Sequence, residues 1–275
     1  MMNSFPPIIF ALLISVVGMP HGGLDHRYGR ILLRPRFQSS WCLVFLAAYL
    51  GVGAIVIAGW FNLPAITAVM FFLLSAWHFG DHLRDQQPFK IIEGGMVIWI
   101  PLLIRPTEVA EILAWVIPNG NIENVRAGLS VAQPCLWVIL VLFLISLPAE
   151  RSAETAGRKV AFALLFALLP TLVSFTLYFC GWHSIRELAA LAKQADSVRP
   201  WRGLRRVLLV AAPMALLTVA AITLLALLFA GARAINPVIV QAVFLGLSTV
   251  AVPHILLQEV VRQLDINPFE PEADL

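Results

Sequence analysis

The sequence predicts an all-α protein: a polytopic integral membrane helical bundle of about seven transmembrane helices plus a re-entrant or interfacial segment, one membrane-embedded domain over 1–275. Three observations carry this. The chain is 60% hydrophobic and only 13% charged, with mean hydropathy +0.85, whereas a soluble domain has about 25% charged residues. Apolar runs near the ~20 residues that cross a bilayer recur along its length. Its six histidines all fall in four short stretches at the ends of such runs.

In chain order the expected spans are 5–20, 40–60, 63–77, 131–148, 160–181, 207–231 and 238–261. Pro170, Pro213 and Pro253 open or kink their helices, which lipid tolerates only where the freed backbone faces protein or a cavity. Residues 91–118 are ambiguous: an apolar run with a glutamate and two glycines, then Arg105-Pro106-Thr107-Glu108, then a second short run. If this segment dips into the bilayer and returns, all four histidine stretches face one side. That side then holds all the lysines and arginines except Arg151, Arg158, Lys159 and Arg233. The positive-inside rule makes it cytoplasmic, with the amino terminus outside.

The remaining segments follow. Residues 184–198 read as an amphipathic interfacial helix, with Ile185, Leu188 and Leu191 opposite Glu187, Lys193 and Asp196. The acidic, proline-bearing tail at 266–275 is expected to be disordered. The start of the chain lacks the basic region of a cleaved signal peptide. Three cysteines inside apolar runs give no disulfide framework. The net charge of +3 sits in short loops, so it reads as topology charge and not as a nucleic-acid surface.

The histidine stretches are Met19–His26, Trp77–His82, Gly181–Glu187 and Val252–Glu259. In each, His21, His78, His183 or His254 is followed four residues later by a polar side chain, namely Asp25, His82, Glu187 or Gln258. Positions i and i+4 share a helix face. Ionisable groups at membrane depth are costly and point at one another. Imidazoles with a carboxylate and no thiolate pattern suit iron, zinc, copper or nickel, and an iron(II) site with open positions suits dioxygen chemistry. Asp25 and Asp81 are acceptors for the imidazole N–H that does not face a metal, with His26 and His82 as further orienting or proton-relaying groups. Trp77, Phe79, Tyr178 and Trp182 cluster beside the histidines, either as interface and core packing or as the wall for a long, flat, apolar substrate.

The set PHGGLDH (20–26), WHFGDH (77–82), YFCGWHS (178–184) and VPHILL (252–257) resembles the bacteriorhodopsin-related (Brp/Blh) beta-carotene 15,15'-dioxygenases over nearly the whole chain. The resemblance implies an iron(II) enzyme of the cell membrane. It would split the central double bond of beta-carotene with O2 into two retinal, which a rhodopsin in the same cell can take up. It implies His21, His78 and His183 as iron ligands. Glu187 stands where the family has a further histidine and, as a carboxylate that can bind iron, would complete a three-histidine, one-carboxylate shell. Arg105 stands where a histidine is expected, and His254 is a further ligand or a pocket residue. The rival readings are a related oxygenase acting on another carotenoid or lipid, and a histidine-rich metal transporter. A retinylidene photoreceptor is excluded, because Lys90, Lys159 and Lys193 are expected at span ends or in loops.

Overall fold

The computed structural model describes residues 7–80, 87–117, 120–149, 152–231 and 234–269. Among them the chain is helical throughout, without a strand. The helices are α1 (Pro7–Leu13), α2 (Asp25–Phe37), α3 (Trp41–Asn62), α4 (Pro64–Gly80), α5 (Gln87–Gly94), α6 (Met96–Ile104) and α7 (Pro106–Val116). They continue with α8 (Ile122–Ser146), α9 (Ala153–Leu168), α10 (Thr171–Tyr178), α11 (Ile185–Ala195), α12 (Pro200–Ala230) and α13 (Ile235–Gln263). Two π-helical turns, Ile14–Gly18 and Phe179–Ser184, extend α1 and α10 toward His21 and His183.

Four of the seven expected spans are long and apolar enough to cross a membrane: Gly22–Asn62, which contains α3, and α8, α12 and α13. Pro7–Gly18 and Pro64–Gly80 are shorter apolar helices. α13 is the axis. Its apolar stretch is 67% buried, against 17% or less in the other three, and α1, α3, α7 and α12 pack around it. The outer helices turn leucine and valine outward, as at Leu43, Val131 and Leu228. Such a surface is stable in lipid and not in water.

The expected continuous span over 160–181 is broken. Proline removes an N–H and disfavours helical backbone at the residue before it. Leu169, before Pro170, is extended (φ −95°, ψ 154°). The chain then reverses. Phe162 packs on Tyr178 and Trp182, each at 5.2 Å between centroids, and Phe166 packs on Tyr178 at 5.4 Å. α9 and α10 are thus an antiparallel hairpin with its apex at Leu169–Pro170.

The structure thus folds back over 153–184, where one span was expected, and runs lengthwise along the bundle over 96–116. α6 starts beside the end of α4, where Gly94 meets Ala76 and Gly80. α7 ends where Gln241 Nε2 donates to Val116 O at 3.2 Å. Gln241 precedes His254 by 13 residues on α13, about 20 Å of helix. The exchange leaves the histidine stretches at one end.

The two breaks dock on each other. In a continuous helix the Thr171 N–H would donate to Ala167 O. Here Arg105 Nη2 donates to Ala167 O (3.3 Å) and Leu168 O (2.8 Å), while Glu108 Oε1 accepts from Thr171 N (2.8 Å).

Two charged sites also differ from expectation. Lys159 is fully buried and pairs with Glu93 at 2.6 Å, so it is not a surface topology charge. Residues 266–269 of the expected disordered tail are packed, with the Phe269 ring buried between Arg27 and Arg206 (5.4 and 5.2 Å). Residues 270–275 lie outside the described residues. Within 184–198 the chain forms the helix α11, over Ile185–Ala195.

Candidate functional site

Four elements bring the histidine stretches together. His78 sits in the last turn of α4. His183 lies in the π-helical turn after α10, a geometry frequent at functional sites. His254 follows Pro253 inside α13. The turn Met19–Leu24 reaches them because its glycines allow close approach. A Cβ on Gly23 would lie 2.6 Å from Ala211 O, and one on Gly22 would lie 3.7 Å from His254 Nδ1. The π turns also meet: a Cβ on Gly18 would lie 2.5 Å from the Phe179 ring.

The His78 ring centroid is 5.2 Å from that of His183 and 5.7 Å from that of His254. His183 and His254 are 1% and 8% exposed. Asp25 reaches across the bundle to His254. Its Oδ1 and Oδ2 lie 2.8 and 3.0 Å from His254 Nδ1. A carboxylate accepts, so the Nδ1–H of His254 donates to Asp25, and Nε2 is the ring nitrogen turned away from that carboxylate. Tyr49 holds the carboxylate in turn, with its hydroxyl 2.8 Å from Asp25 Oδ2 and 3.1 Å from Val250 O. His26 Nδ1 donates to Gly23 O at 3.0 Å, and its side chain lines the same cavity. Glu187 is half-buried in the first turn of α11. Asp81 and His82 lie outside the described residues, as does the side chain of His21.

The donor chemistry fits a transition metal. With metal–nitrogen bonds of about 2.1 Å, two imidazoles on one ion have ring centroids roughly 4.5–6.4 Å apart, and both measured separations fall in that window. Among the described residues, no three His, Cys, Asp or Glu side chains are closed upon a common ion position. The described imidazoles are thus neighbours with one oriented from behind, and not a completed shell.

A cavity of about 320 Å³ opens from these histidines. Along one stripe it is lined by Leu172, Phe175, Phe179 and His183. Their rings form a stack: His183 on Phe179 (5.6 Å, 20°) and Phe179 on Phe175 (5.5 Å, 7°). Phe79 also lines it, edge-on to His183 at 5.0 Å. Trp77, Tyr178 and Trp182 are not among the residues that line it. Trp77 carries Lys90 Nζ over its ring at 3.6 Å, Tyr178 packs between α9 and Phe79, and Trp182 packs on Phe162 beside Arg158 and Arg186. They back the wall without facing the cavity. Tyr49 was invisible to histidine spacing, although a hydroxyl in mid-span is itself a signal.

A sequence model of the family described as beta-carotene 15,15'-dioxygenase matches residues 12–262. The chain belongs to that family. Among its relatives, the beta-carotene 15,15'-dioxygenase of uncultured marine bacterium 66A03 is 26% identical over 264 residues, 89% of this chain and 90% of the relative. The probable beta-carotene 15,15'-dioxygenase Blh of Halobacterium salinarum is 26% identical, over 71% of this chain and 65% of the relative. The Brp protein of the same species is 22% identical, over 69% and 59%. No solved structure matches. The matched span takes in every histidine stretch, the hairpin and its docking site on α6–α7.

Proposed function

We propose that the protein cleaves the central double bond of beta-carotene with dioxygen to give two retinal, at an Fe(II) ion. The observation that carries this reading is the meeting of His78, His183 and His254, from three distant stretches, at the head of an aromatic-lined apolar cavity. The residues that would hold the ion are His21, His78, His183 and Glu187, with His254 as a further ligand. When bound, the iron supplies the binding and activation of dioxygen.

The chain's own residues do the rest. Asp25 fixes the His254 tautomer and Tyr49 fixes Asp25. The Phe175–Phe179 stack holds the polyene flat and keeps the central bond beside the imidazoles. Burial excludes water from the reacting bond. The reaction balances without another reductant: the central C=C and the O–O bond are lost, and two C=O bonds form, one on each half.

The reading includes a layout. Seven crossings place all four histidine stretches in the cytoplasmic half of the plasma membrane: Pro7–Gly18, α3, α4, α6–α7, α8, α12 and α13. The α9–α10 hairpin dips in and returns, and α11 lies at the interface. Carotene then enters from membrane lipid without passing through water, and retinal leaves toward a rhodopsin. Expression in a beta-carotene-accumulating host, with pigment extraction and metal analysis of the purified protein, tests the reading. Retinal together with bound iron is expected. A different apocarotenoid would shift the substrate, and no pigment change with metal uptake into proteoliposomes would favour a transporter.

A further inference from the structure

The cavity has one closed end and one open side. Val109 and Leu113 of α7 and Leu172 of α10 line it and are at most 9% exposed. Leu46 and Leu50 of α3 and Leu217 of α12 line it too, yet are 39%, 66% and 61% exposed. A lipid-facing mouth thus opens between α3 and α12, and a blind end lies at the hairpin apex.

The blind end sits at a definite depth. Thr171 precedes His183 by 12 residues on one nearly continuous helix, about 18 Å at 1.5 Å per residue. Carotene is about as long as the ~30 Å bilayer core, so each half reaches about 15 Å from its central bond. One arm fills the distance from the imidazoles to the apex, and the other passes out through the mouth. The apex is also held firmly. Arg105 and Glu108 pin it to the α6–α7 break from both sides, and hydrogen bonds in an apolar setting leave little freedom to slide.

We propose that this docked apex, with Thr171 and Leu172 facing Val109 and Leu113, is the stop that selects which double bond is cut. The inserted ring rests on it, and the bond one arm's length away faces the histidines. This rests on the carotene-cleaving reading above.

Substitutions at the stop test it, with product chain length as the readout. Leu113→Ala deepens the blind end and Thr171→Phe shortens it. Wild type is expected to give a single product, retinal. Each variant is expected to give, as at least a tenth of its product, an unequal pair of apocarotenoids, one shorter and one longer than retinal. Because the readout is a ratio, reduced folding or turnover does not obscure it. Variants that yield retinal alone, at whatever rate, overturn the stop. If neither variant accumulates, wild type given a carotenoid with one intact ring and a truncated opposite arm decides. Retinal counted from the intact ring supports the stop, and cleavage at the middle of the shortened chain overturns it. Wild type that makes no apocarotenoid from beta-carotene instead removes the underlying function.

Discussion

Asp25 and His254 meet across 229 residues of sequence, with Nδ1 of the imidazole 2.8 Å from one carboxylate oxygen and 3.0 Å from the other. Tyr49 donates to the same carboxylate at 2.8 Å. The three residues come from α2, α3 and α13, so one hydrogen-bonded chain ties three helices to the orientation of one ring. Groups that orient a metal-binding histidine from behind are worth about 10–100-fold in affinity or activity. Asp25→Asn is expected to lose bound iron and retinal formation in that range. Tyr49→Phe removes one hydrogen bond to the carboxylate, worth about 1.5–3 kcal/mol, but leaves Asp25 in contact with His254 and should cost less than Asp25→Asn. Iron per polypeptide, measured beside retinal yield, checks both. Equal effects of the two substitutions would mean that Asp25 acts only through helix packing.

His183 is buried among rings, stacked on Phe179 and edge-on to Phe79 and His78. His183→Ala is expected to abolish bound iron and to leave carotene colour intact in producing cells. His26→Ala, which removes one bond to Gly23 O, should keep its iron. Retained iron with retained activity in His183→Ala would take that residue out of the coordination shell.

Helix content, an apolar outer surface and the nearness of His78, His183 and His254 were legible in the sequence, because each follows from local hydropathy and from the cost of polar groups in lipid. The place of the fold-back was not. Residues 160–181 and 91–118 are both apolar with a proline break, and hydropathy cannot tell a helix that continues past a proline from one that reverses. What decides is a tertiary contact: Arg105 and Glu108 satisfy the backbone groups freed at 167–171. Likewise, i+4 spacing looks only along one helix, whereas the Asp25 carboxylate meets His254 on another. The aromatic residues beside the histidines divided for a related reason. Phe79, Phe175 and Phe179 share the cavity face, while Trp77, Tyr178 and Trp182 lie on faces turned toward Lys90 and α9.

Lys159 and Glu93 form an ion pair at 2.6 Å with no exposure of either side chain, tying α9 to α5. Removing one partner of a buried pair strands a charge and costs about 3–5 kcal/mol, whereas replacing both with apolar residues of similar volume is often neutral. Glu93→Ala and Lys159→Ala are each expected to lower the thermal midpoint sharply in detergent. Glu93→Leu with Lys159→Met should restore most of it. Circular dichroism melts of the four proteins check this. A double variant no better than the singles would show that the pair itself contributes net stability.

Arg105 stands where the family resemblance leads one to expect histidine, and its geometry says why the longer side chain is needed here. It must span from the break between α6 and α7 to two carbonyls at the end of α9, 2.8 and 3.3 Å from Nη2. Its planar fork presents several donors in fixed directions, which an ammonium or an imidazole does not. Arg105→Leu leaves the part-buried Ala167 carbonyl and the more exposed Leu168 carbonyl without that donor, at about 1–3 kcal/mol for a group shut away from water and less for the exposed one. Arg105→Lys keeps the charge but reaches both carbonyls poorly. Glu108→Gln keeps an acceptor for Thr171 N and should be mild, while Glu108→Ala should not. The expected order of thermal midpoints is wild type, Glu108→Gln, Arg105→Lys, then Arg105→Leu and Glu108→Ala. Because both residues serve one helix break, Arg105→Leu with Glu108→Ala should cost less than the two losses added together. Strict additivity in that cycle would mean that the two hydrogen bonds hold the apex independently.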